Sequence, residues 1–99
     1  MNDLYRDVIN LRHKLNNVID DHSHPSSQAL KREVQRLEDE MQVKKPLKSL
    51  ESRVKQVIDC LKQAERACVI SQADINYLHR QLEVILQSLR SGKISWHSA

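Results

Sequence analysis

In "LESRVKQVIDCLKQAERAC", Leu50, Val54, Val57, Leu61, Ala64 and Cys68 recur at alternating steps of four and three. Residues so spaced share one face of an α-helix. A stripe this regular is built to lie along another helix at a shallow angle of about 20°. The same rhythm appears in three other segments. Leu4, Val8, Leu11, Leu15 and Val18, with Ile19 alongside, mark a first helix over about 3–21. Leu30, Val34, Leu37 and Met41 mark a second over about 27–42. The quoted stretch gives a third over about 46–68, and Ile75, Leu78, Leu82, Ile85 and Leu89 a fourth over about 72–91.

The breaks have chemical causes. Pro25 disfavours helix at His24, leaving Ser26 or Ser27 to cap the second helix. Pro46 belongs in a first helical turn and pushes Lys45 toward extended geometry. Continuing the second stripe past Met41 would put Lys44 and Lys48 into it, so the break there is real. Ser71 followed by Asp74 resembles a capping box, and Gly92 can close the fourth helix. The expected fold is all-α: an antiparallel up-down four-helix bundle with coiled-coil-like packing. Residues 1–92 form the bundle domain and 93–99 a C-terminal tail. In the rival arrangement the chain opens at a break and two copies complete each other's bundles.

Composition narrows the functional classes. Three aromatics and no Phe make the core aliphatic, and one Gly leaves no phosphate-cradling loop. No apolar run approaches the roughly 20 residues of a membrane span, so a soluble, cytoplasmic protein is expected. Cys60 and Cys68 lie eight residues apart on one helix. About 12 Å of rise then separates them, too far for a disulfide to join them. They read as reduced, small hydrophobes. The serines show no His/Asp relay, and no catalytic residue or cofactor is expected.

Histidines offer two candidates and weaker chemistry. His22 and His24 with Asp20 and Asp21 supply metal-ligand types, but nothing in the spacing makes them converge, and no metal site is assigned. His13 is followed by Lys14 rather than the acid that commonly follows helical phosphoacceptor histidines, and reads as a solvated helix-face residue.

Charge is uneven. Residues 1–43 hold six Lys/Arg against eight Asp/Glu, net −2, and residues 44–99 hold ten against five, net +5. Lys48, Lys55 and Lys62 repeat every seven residues, with Lys44, Lys45 and Arg66 near the ends of their stripe. One reading is a strip for a nucleic-acid backbone. No aromatic lies among these residues to stack bases, and Glu51 sits one favourable helical turn before Lys55. The preferred reading is a small protein–protein interaction module (adaptor, chaperone-like or regulatory), non-catalytic and homodimeric. Its contact candidates are Tyr77, Val84 and Leu86, which widen the apolar face of the fourth helix, and Ile94 and Trp96 in the tail.

Overall fold

The computed structural model of the chain describes residues 4–91. It contains α1 (Leu4–Val18), α2 (Pro25–Gln42), α3 (Leu47–Arg66) and α4 (Gln72–Ser91), with no strand among the described residues. The helices form a closed ring in which α1 packs on α2, α2 on α3, α3 on α4, and α4 back on α1. Side-chain pairs give the direction of travel. Gln42 Nε2, at the end of α2, donates to Tyr5 Oη, near the start of α1, at 2.6 Å. Further along α1, Arg12 Nε donates to Glu38 Oε1 at 2.7 Å. This is an antiparallel four-helix bundle, 41 × 22 × 19 Å, and one chain closes it without a second copy.

The apolar stripes meet in the middle, as their spacing requires. Leu11, Leu37, Leu50, Leu61, Leu78 and Leu82 are all 3 % exposed or less. Two residues from each helix, among them Leu15, Leu30, Leu61 and Leu82, line a central void of about 10 Å³. That is at the lower limit for a single water, and the wholly apolar lining offers water no hydrogen-bond partner. The interior is dry.

Across the α2–α3 seam, Arg53 reaches Glu33 Oε1 at 2.8 Å and Glu40 Oε2 at 2.9 Å. The two carboxylates hold its guanidinium above its usual range, Glu33 most strongly. Arg53 has a quarter of its side chain exposed, so its fork fixes register more than it adds stability.

Helix ends depart from expectation in instructive ways. α1 stops at Val18 rather than Asp21, because the Asp20 N–H leaves the helix ladder and donates to the Val69 carbonyl at 2.8 Å. Ile19 is buried, while Val18 is only half-buried. α2 starts at Pro25, and the cap is His24 rather than Ser26 or Ser27. His24 has extended backbone (φ −65°, ψ 138°), and its Nδ1 accepts from Ser26 N–H at 3.1 Å. Proline at the first position loses no hydrogen bond. Ser27 is thereby turned inward: it is fully buried and its hydroxyl has no hydrogen-bond partner among the described residues. Pro46 caps α3 from outside instead of opening it. At α4, Asp74 N–H donates to Ser71 Oγ at 3.3 Å as expected. The Asp74 carboxylate, however, accepts from the Ser71 hydroxyl itself at 2.8 Å.

α2 and α3 end identically. Lys44 and Cys68 both take left-handed backbone, φ 56° and 59°. In the first turn-off, Lys45 N–H donates to Glu40 O and Lys44 N–H to Met41 O, each at 3.1 Å. In the second, Val69 N–H donates to Ala64 O at 3.3 Å and Cys68 N–H to Glu65 O at 3.1 Å. Both are Schellman motifs, and the second carries the apolar contact that the motif favours, with Val69 and Ala64 both buried. Cys68 is therefore not in the α3 stripe. It is exposed, and Val69 and Ile70 turn in to close that end of the core.

Candidate functional site

The contact candidates on α4 separate into two kinds. Tyr77 and Val84 are 44 % and 52 % exposed, seven residues apart on the edge of α4 that faces α1. Leu86 is 4 % exposed and belongs to the core, which corrects its assignment to the outer flank. Because α4 packs on both α3 and α1, its buried arc is wide enough to take in Ile85 and Leu86 together. Ile94 and Trp96 lie outside the described residues.

Tyr77 is held in place by its neighbour helix. The Lys14 ammonium lies 5.0 Å from the centre of its ring, within cation–π range. The contact leans the ring toward α1 while much of it remains open to solvent. Beside the pair, Arg80 is exposed with no ion pair among the described residues, while on the opposite edge of α4 His79 Nε2 lies 3.8 Å from Glu83 Oε1. The flank thus offers an aromatic, an apolar β-branched residue and a cation.

The α3 stripe is on the outside as the heptad spacing requires. Lys44, Lys45, Lys48, Lys55, Lys62 and Arg66 are all exposed. Lys55 pairs with Glu51 at 3.4 Å, and Glu51 also accepts from Arg90 of α4 at 3.2 Å. Arg90 and then Lys55 hold the Glu51 carboxyl below its ordinary value. Asp59 lies four residues after Lys55 and three before Lys62, on the same outer face, so acids interrupt the stripe twice. This alternation was visible in the sequence at helical spacing and weakens the case for a phosphate-backbone strip, which needs cations without interleaved acids.

The loop histidines are engaged locally. Asp21 Oδ1 accepts from the Ser23 hydroxyl at 2.7 Å and from its N–H at 3.0 Å, and these bonds hold its carboxyl below the usual range. His24 Nδ1 is taken by the α2 cap, and His22 Nδ1 lies 3.2 Å from Lys31 Nζ. Among the described residues no three His, Cys, Asp or Glu gather where they could hold a metal ion. His13 is exposed.

The thiols differ. Cys60 is half-buried beside the α2–α3 seam, and burial, then the nearby Glu33 and Asp59, push its thiol up. A raised thiol is a poor nucleophile at neutral pH. No helix among the described residues is long and apolar enough to cross a membrane. No family model, curated protein or solved structure matches the chain.

Proposed function

We propose that this bundle is a non-catalytic protein-interaction module, an adaptor, chaperone-like or regulatory binding protein of the cytoplasm, that works as a homodimer through the Tyr77–Val84 edge of α4. The observation that carries the reading is this pair: two large side chains left open, one heptad apart, on a helix whose remaining stripe is consumed by its own core. A second copy suits the edge because the pair is self-complementary. A two-fold axis passing between two copies of α4, level with the Arg80–Gln81 step, sets Tyr77 of each copy against Val84 of the other. A dry, closed interior leaves little recessed polar chemistry for turnover, and two unpaired thiols suit a reducing compartment.

Gln81→Cys in a Cys60→Ala/Cys68→Ala background tests the axis. Near a two-fold axis its thiols come within disulfide reach, so mild oxidation is expected to give a covalent dimer. Gln63→Cys, on the exposed face of α3, is the control. Equal cross-linking at the two sites, or none at residue 81, would overturn the proposed edge.

A further inference from the structure

A cleft of about 120 Å³ opens between α1 and α2, lined by Arg12, Leu15, Asn16, Lys31 and Gln35. Its chemistry is one-sided. Glu38, 8 % exposed, is already engaged by Arg12 Nε at 2.7 Å and Gln35 Nε2 at 3.4 Å. Gln35 Nε2 also lies 3.1 Å from Asp39 Oδ1, and Asp39 is not part of the lining. Donors dominate what is left. The two Nη groups of Arg12 and the Asn16 amide make no hydrogen bond among the described residues. Lys31 has no carboxylate partner among them; its one contact is His22 Nδ1, which must accept, since an ammonium only donates. Arg12 and Lys31 are the two charged residues of the lining, and Glu38, outside it, offsets only Arg12, so the cleft keeps an excess positive charge.

We infer that this cleft binds a small oxyanion, phosphate or a short carboxylate, between the Arg12 fork, Lys31 and Asn16. The planar guanidinium, tethered through Nε to Glu38, presents its two Nη groups as a preset pair of donors for a bidentate oxyanion. Leu15 supplies an apolar floor. Size sets the ligand class: a cavity of about 150 Å³ takes a molecule the size of benzene. This cleft therefore suits inorganic phosphate or a short carboxylate, and is too small for a nucleotide. It involves neither Tyr77 nor Val84, so it stands or falls apart from the proposed dimer.

The experiment is a titration of the full chain with inorganic phosphate and, separately, with acetate, against sodium chloride at matched ionic strength. Amide chemical shifts and melting temperature are the readouts. Saturable shifts at Asn16 and Lys31 with either anion, absent with chloride, are expected, and the tighter anion identifies the ligand. Lys31→Met keeps the aliphatic stem of the half-buried side chain. It should leave the helical circular dichroism unchanged and weaken binding roughly tenfold, the worth of one charge-assisted hydrogen bond. Shifts that stay linear and match those of chloride, or equal affinity in a folded Lys31→Met variant, would overturn the inference.

Discussion

The Asp20 N–H and the Val69 carbonyl meet at 2.8 Å, joining the α1–α2 loop to the α3–α4 loop at one end of the bundle. Beneath that bond Ile19, Val69 and Ile70 seal the core. Val69→Ala removes about two buried methylene equivalents and should cost about 2 kcal/mol once the cavity is included. Chemical denaturation checks it. In native-state hydrogen exchange the Asp20 amide should be protected despite lying in a loop, and exchange as fast as that of an open loop would show that the two loops move separately.

Lys44 and Cys68 occupy positions where glycine costs least. Lys44→Gly and Cys68→Gly should each stabilise the fold by about 0.5–1 kcal/mol, since relief of the left-handed backbone exceeds the added chain entropy. Lys45→Gly, one residue past the first cap, should not. Thermal melts of the three variants make the comparison; a lowered midpoint for the first two would contradict the cap geometry.

Ser27 presents a buried hydroxyl with no hydrogen-bond partner among the described residues. Ser27→Ala removes that group at almost constant shape and is expected to raise stability by about 1 kcal/mol. Loss of stability would show that the hydroxyl is satisfied in solution.

The thiols should separate by rate. Cys68 is exposed and should react first with a thiol reagent at neutral pH. Cys60 should lag, because its raised pKa leaves less thiolate there and its half-burial slows access. Raising the pH through and above the ordinary thiol range should speed Cys60 in proportion to the thiolate formed. Equal rates at neutral pH would count against its placement on the α2–α3 seam.

Period carried most of this architecture. Leu50, Val54, Val57, Leu61 and Ala64 were legible because a helix against a helix leaves a three-four record, and the same holds for Leu78, Leu82 and Leu89. Leu86 was not legible, since the width of a buried arc depends on how many neighbours a helix has, and a seam alone does not report that. Val69 and Ile70 were missed for a related reason: they are buried by a loop crossing, which has no period. His24 as a cap depends on the extended backbone that Pro25 imposes on it and on its ring nitrogen reaching Ser26 N–H, which serine preferences hide. On the candidate edge, Tyr77 and Val84 were readable as a heptad pair off the seam, whereas the Lys14 contact joins residues 63 positions apart and leaves no local trace. The Arg12–Lys31 cleft is likewise a product of two helices meeting.

Sedimentation equilibrium at micromolar concentration, on the wild-type chain and on Val84→Glu, tests the proposed interaction edge most directly. The wild type should weigh about twice 11.6 kDa and the variant about 11.6 kDa, with equal helical circular dichroism because Val84 lies outside the core. A wild-type mass of one chain throughout the concentration range, or an undiminished dimer in Val84→Glu, would contradict it.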